Sequence, residues 1–424
     1  MRRKGTTVNA PAGPFGRPLA ALATVVALVL VVAGCGTGDP SGSARTERVT
    51  SLTVLDYYTD TTEHAHWGEL LTSCGKKAGV TIEHRSVPGP SLVPTVVRQA
   101  TAGTLPDLLM LDNPDLQEIA RSGVLTPLRT YGIRTDGFVS GIVSAGTYQG
   151  EVYGLAPTVN TLALYYNKDM LAEAGVTVPR TWNELREAAR ATTRPGRHGL
   201  AVDADASFES TFQFLPFLWS NGGDEQRLDT PQAAAALRLW TDLVRDGSMS
   251  RSVLTWNQAN VHEQFLGGKA AMMVNGPWRM TELEKAKGLR WGVAPLPVPR
   301  AGTSLVTPLG GEVWTVPRND SQARRIKAAQ VLDCLNDPTS MQTLATWHHT
   351  VPSRKDVAAR YAKQVPSMAA FVESVRGARA RTRELGPAWP KTATAIQTAV
   401  QAAVSGRQTP EEALRHAQRT ATGS

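Results

Sequence analysis

Residues 52–111 alternate strand-like and helix-like segments, and that alternation constrains the fold more than any other feature of the chain. Leu52-Thr-Val-Leu-Asp-Tyr57 is rich in β-formers. Thr59-Asp60-Thr61-Thr62 offers helix caps ahead of an amphipathic segment that runs to about Lys77. Val80-Thr-Ile-Glu-His84 reads as a second strand, residues 91–102 as a second helix, and Leu105–Leu111 as a third strand. Strand, helix, strand, helix, strand predicts a parallel αβ sheet with helices on its faces.

The pattern changes further on. Tyr148-Gln-Gly-Glu-Val-Tyr-Gly-Leu-Ala-Pro157 reads as a short hairpin with Gly150 at the turn, and Leu162–Tyr166 as a strand. Thr181-Trp-Asn-Glu184 is a capping box opening a helix to about Ala191. Asp229-Thr-Pro231 opens another, stopped at Gly247, with an apolar stripe of Leu237, Trp240, Leu243 and Val244. Ala270–Asn275 and Trp291–Ala294 read as strands, and Thr409-Pro-Glu-Glu412 caps the last helix. The 424 residues fit two lobes without a conventional linker and without an internal repeat.

The N-terminal region has another character. Arg2, Arg3, Lys4 and Arg17 precede an apolar run, Leu19–Val32, which ends in Val32-Ala-Gly-Cys35. This is a secretory signal, and the small residues before a cysteine resemble a bacterial lipobox. Cys35 is then the site of lipid attachment and the first residue of the mature chain. Residues 1–34 are the signal peptide and 35–48 a flexible tether. Cleavage removes four basic residues and lowers the formal charge from +8 to +4, which gives nucleic-acid binding little support. Cys74 and Cys334 remain. In an oxidising compartment they are free to bond, or they are two separate buried thiols. Trp67, Leu70, Leu71 and Cys74 share one helical face.

Enzyme signatures are missing: there is no G-x-S-x-G, no H-E-x-x-H, no C-x-x-C and no glycine-rich phosphate loop. Ser73-Cys-Gly-Lys76 matches S-x-x-K but lacks its companion motifs. His64-Ala-His66 and His348-His349 read as surface histidines, since no Cys or acidic cluster accompanies them, and no metal or other cofactor is expected. The informative motif is Asn275-Gly-Pro-Trp278. Gly276 and Pro277 force a turn at a strand end, which puts Trp278 at the sheet edge where open αβ sheets bind ligands. An indole face there can stack on a sugar ring. The alternative is that Trp278 is core.

These residues carry a family resemblance. Pro106-Asp-Leu-Leu109, Ser122-Gly-Val-Leu125, Asn167-Lys-Asp-Met-Leu171, Phe265-Leu-Gly-Gly-Lys-Ala-Ala-Met-Met273 running into N-G-P-W, Gly310-Gly-Glu-Val-Trp314 and Ser405-Gly-Arg-Gln-Thr409 occur in order. In series they resemble the maltose-binding-protein-like, cluster-1 extracellular solute-binding proteins of bacterial ABC importers. The resemblance implies a two-lobed α/β fold of the periplasmic-binding type (type II), with a ligand cleft between the lobes. It implies crossovers near residues 155–163 and 296–309, with a last return near 345–352. The first lobe would hold residues 49–158 and 300–346, and the second 159–299 and 347–424. Cys74 and Cys334 would then both lie in the first lobe, where they can form a disulfide.

The resemblance further implies a binding lipoprotein, not an enzyme. It would be monomeric and extracytoplasmic, would capture an oligosaccharide or glycoside, and would deliver it to the transmembrane subunits of an ABC permease. The same fold with a non-sugar solute and a secreted carbohydrate-active enzyme are the alternatives. Trp278 matches the family's stacking Trp. Asp60, Asp112, Asn160 and Glu312 are candidates for sugar hydroxyls, Phe212 and Trp389 for aromatic contacts, and Gly310 and Gly311 for close backbone approach. Arg354 is a further candidate. Several family positions differ: Leu111, Pro114 and Ala393 stand where the maltose proteins have ligand-contacting side chains, so the sugar is expected to differ from maltose.

Overall fold

The computed structural model describes residues 48–423. The expected signal peptide, Cys35 and the expected tether through residue 47 lie outside the described residues. The predicted alternation near the start folds as β1 (Ser51–Asp56), a helix at Thr61–Ala78, β2 (Thr81–Ser86), a helix at Gly89–Ala102, and β3 (Leu108–Asp112). Asp60 caps the first helix by accepting from the Thr62 and Glu63 amides, and Gly79 ends it in the left-handed conformation that glycine adopts at least cost. Its inner face buries Trp67, Leu70, Leu71 and Cys74. Cys74 is disulfide-bonded to Cys334, on the helix Gln322–Leu335 packed beside it, with 5.6 Å between the Cα atoms.

The chain continues through the hairpin β4 (Thr147–Tyr148) and β5 (Glu151–Val152), with Gly150 at positive φ in its turn. Then come β6 (Gly154–Leu155), β7 (Thr158–Val159), β8 (Ala163–Asn167) and β9 (His198–Ala201). They are followed by β10 (Ala270–Asn275), β11 (Trp291–Ala294), β12 (Glu312–Thr315) and β13 (Val351–Pro352). Two principal sheets result. The first has the order β2-β1-β3-β12-β6 and the second β11-β8-β10-β9. β1 runs parallel to β2 and β3, as the alternation predicts, but β12 returns antiparallel to both β3 and β6. In the second sheet β10 is parallel to β9 and antiparallel to β8.

One core spans the first sheet and continues onto a face of the second through Tyr165, Ala201 and Met273, and a second core covers the other face of that sheet. In the second, Leu237, Trp240 and Leu243 of the helix Pro231–Arg245 are buried, with Phe214 and Phe217 edge-on to the Trp240 ring. Val244, on the same predicted stripe, stays half-buried. The box at Thr181 is displaced by one residue, because Glu184 reaches back to the Arg180 amide. At Thr409 both reciprocal bonds with Glu412 form. No helix among the described residues is long and apolar enough to cross a membrane.

The chain passes between the sheets at three adjacent places. β7 pairs with β13, Val159 facing Val351. Asn160 and Gly310 exchange backbone hydrogen bonds of 2.9 and 3.2 Å. On the far side, Leu309 and Thr307 bond Arg379. Residues 158–160, 308–310 and 351–352 thus lie side by side. Gly311 has φ +106° here, and a Cβ on it would stand 3.0 Å from the Val159 Cα. A side chain at this position would meet both backbone strain and the neighbouring strand.

Candidate ligand cleft

Strand direction fixes where a ligand can sit. β1 and β3 end at Asp56 and Asp112, and β12 begins beside them, with Glu312 paired to Asp112. In the second sheet β9 and β10 end at Ala201 and Asn275, and Ala163 at the start of β8 pairs with Asn275. Gly310 leads directly into Glu312, and Asn160 into β8. Both edges therefore adjoin the crossing strands, and both present carboxyl ends of parallel strands, where open αβ sheets bind ligands.

On the first lobe, Tyr57 and Tyr58 follow β1 and donate their hydroxyls to the two oxygens of Glu312, at 2.5 and 2.6 Å. Burial pushes Glu312 up to about 7, with Asp112 and Glu63 adding to the shift and the two tyrosine hydroxyls opposing it. Asp112 accepts from Arg381 at 3.0 and 3.3 Å. The Arg381 guanidinium also lies 5.1 Å above the Phe212 ring of the second lobe. Asp115 is raised to about 7, chiefly by burial and then by Asp112, against the pull of Arg381.

On the second lobe, Asp203 is fully buried just past β9 and is raised to about 8 by burial and by Asp205. Glu209 is raised by the same two causes, and Arg279 counters them. Glu63 on the first lobe is raised by burial and by Asp60, and Arg279 opposes that rise too, so one guanidinium acts on carboxylates of both lobes. Asn275 closes the N-G-P-W turn by accepting from the Gly276 amide at 3.0 Å, and the Tyr165 hydroxyl donates to the Gly276 carbonyl at 2.8 Å. The Trp278 ring lies flat against Gly276, where a Cβ would fall 2.0 Å from it. Trp278 remains half-buried at the sheet edge, packed against the second core.

The structure sorts the sequence candidates. Asp112, Asn160, Phe212, Gly310, Gly311, Glu312 and Trp278 gather on the two facing edges and their crossing. Gly310 and Gly311 serve first to admit the crossing strand: a Cβ on Gly310 would stand 2.0 Å from Asn160 Oδ1 and 3.2 Å from Phe212. Trp389 and Arg354 are placed away from this group. Trp389 is 4% exposed and belongs to the second core, since it starts the helix Trp389–Val404 with its ring turned inward. Arg354 pairs with Asp356 beside Gly137, in a separate recess shared with Asp136, Asp333 and Asn336. Asp60 is exposed at the start of the first helix, which it caps through Oδ1. His64 and His66 are half-buried in ring contacts with His84 and Trp347, not surface residues as the spacing suggested. Reading by motif missed Tyr57, Tyr58, Arg279, Arg381, Asp203 and Glu209. Only the tyrosines carried a signal, their place directly after a predicted strand.

A two-lobed fold of this design matches known proteins. The family model described as bacterial extracellular solute-binding protein matches residues 69–372. The chain belongs to the bacterial extracellular solute-binding proteins. Among relatives of this solute-binding protein is a maltooligosaccharide ABC transporter solute-binding lipoprotein of Streptococcus pneumoniae, 23% identical over 316 residues, which are 70% of this chain and 71% of that one. The cyclic alpha-maltosyl-1,6-maltose binding protein of Arthrobacter globiformis superposes with a TM-score of 0.78 at 24% identity, covering 89% of this chain and 99% of that one. Maltose-bound MalE3 of T. maritima gives 0.76 at 25% identity, covering 88% of this chain and all of that one.

Proposed function

We propose that this solute-binding protein captures an oligosaccharide or glycoside in the cleft and delivers it to the transmembrane subunits of an ABC importer. The observation that carries the reading is the pairing of polar and aromatic surfaces at the crossing. Glu312, held by two tyrosines, and Asp112 offer oxygens to sugar hydroxyls, while Trp278 offers a flat apolar face. The sugars in the names of the pneumococcal, Arthrobacter and Thermotoga proteins support the same class of ligand. No bond is broken in this reading. Solute contacts both lobes and favours closure by its differential affinity for the closed state. Lipid on Cys35 holds the protein at the outer face of the membrane, where the two acyl chains of a lipoprotein anchor suffice.

A thermal-shift screen over mono- and oligosaccharides, with polyamines and phosphodiesters as comparison solutes, tests this, because a bound ligand raises the melting temperature by mass action. At least one carbohydrate should give a saturable shift. Calorimetry with that sugar on Trp278→Ala should then read an affinity roughly five- to hundred-fold weaker, the equivalent of about 1–3 kcal/mol. A screen in which only a non-sugar solute shifts the transition would overturn the carbohydrate reading. Unchanged sugar affinity in a folded Trp278→Ala would remove Trp278 from the site.

A further inference from the structure

Behind Tyr57 and Tyr58, on the helix-covered face of the first sheet, four polar side chains from three elements converge. Asp56, the last residue of β1, is completely buried. Ser86, its register partner on β2, donates to Asp56 Oδ1, and the Tyr58 amide donates to the same oxygen at 3.1 Å. His84 of β2 places Nε2 2.6 Å from Asp56 Oδ2. His64, in the first turn of the covering helix, places Nδ1 2.8 Å from the Ser86 hydroxyl. The two imidazoles stack with centroids 4.3 Å apart and planes 8° from parallel. One potential ligand atom each from Asp56, His64 and His84 lies within 4.8 Å of the others.

We propose that Asp56, His64 and His84 form a divalent transition-metal site, with zinc as the ion that fits it. The donor set is one carboxylate oxygen and two imidazole nitrogens, which suits zinc in three-ligand sites with a fourth position open. The charge argument points the same way. A buried carboxylate needs a positive partner, and among the described residues the only ion pair of Asp56 is with His84. A metal ion held between the three side chains supplies that charge. His84 already points Nε2 at the carboxylate. A metal on Nε2 would take the place of the 2.6 Å bond to Asp56 Oδ2, with the ring proton on the buried Nδ1. Gly68 of the covering helix lies beside that nitrogen, where a Cβ would make an ordinary contact at 3.5 Å. His66, which motif reading paired with His64, faces Trp347 and takes no part.

Protein stripped with a chelator and titrated with zinc chloride at pH 7.5, by calorimetry and thermal unfolding, tests the proposal. The expected result is one equivalent bound and a saturable rise in melting temperature. His64→Gln should weaken zinc at least ten- to hundred-fold, and His66→Gln should leave it unchanged. At pH 5.5 the affinity of the wild type should fall, since both imidazoles must be unprotonated to bind metal. His64 is half-buried at a helix start, so its variant decides the matter even where His84→Gln fails to fold. Absence of saturable zinc binding in the wild type, or equal binding in His64→Gln, would overturn the site. Neither outcome bears on sugar capture, which is read separately.

Discussion

At the scale of single residues, the cleft gathers carboxyl groups that the fold prefers to keep protonated. Glu312 is the clearest case, raised from an ordinary carboxylate value to about 7. The sign of its effect on stability follows from proton counting. Between roughly pH 4.5 and 7 the native state retains a proton that the unfolded chain has released. Stability from this group is therefore highest below the unfolded pKa and falls as pH rises through the native value. Unfolding of ligand-free wild type and Glu312→Gln between pH 5 and 8 should show the wild type losing stability relative to the variant as pH rises. Parallel curves would mean that Glu312 titrates normally. The two tyrosines that hold Glu312 were unreadable as its partners. Tyr57 and Glu312 are 255 residues apart and meet only because β12 comes back beside β3. Trp278 was legible, by contrast, because its turn is local: Gly276 and Pro277 follow a strand and dictate where the next side chain goes.

At the scale of elements, local chemistry wrote most of the boundaries. Asp60, Thr181, Thr230 and Thr409 cap the helices that their neighbours begin, and strands of β-formers ended within a few residues of expectation. What could not be read was pairing. The parallel β1–β2–β3 unit is contiguous in sequence, whereas the antiparallel return of β12 is set by tertiary packing. The disulfide belongs to this scale, since it ties the helix Thr61–Ala78 to the helix Gln322–Leu335 across 260 residues of chain. Closing so long a loop constrains the unfolded state, and the stabilisation is on the order of 2–4 kcal/mol in the chain-entropy account. Cys74→Ala with Cys334→Ala should unfold at lower denaturant concentration, and the unreduced wild type should expose no thiol from this pair when denatured. Two titratable thiols at these positions would show the bond unformed.

At the scale of the molecule, three adjacent crossings join two lobes whose facing edges both carry carboxylates, and Arg381 makes contacts with each lobe. Its guanidinium holds Asp112 of the first sheet and lies over Phe212 of the second lobe. The segment bearing it is pinned to the crossing by the bonds of Arg379 to Thr307 and Leu309. Arg381 is 5% exposed, so its pair with Asp112 is poorly screened, and removing one partner leaves the other charge without compensation. The charge also restrains Asp115, which has Asp112 as a like-charged neighbour. Arg381→Met should therefore push the two lobes apart: the ligand-free protein should have a larger radius of gyration by small-angle scattering. The sugar found by the screen should bind more weakly, because more of its interaction energy goes into closure. Adding Asp112→Asn to Arg381→Met removes the orphaned carboxylate and should restore part of the loss, with a coupling of about 0.5–3 kcal/mol in a double-mutant cycle. If Arg381→Met keeps the wild-type radius of gyration and affinity, the contact is packing within one lobe and the control of closure lies in the crossing strands alone.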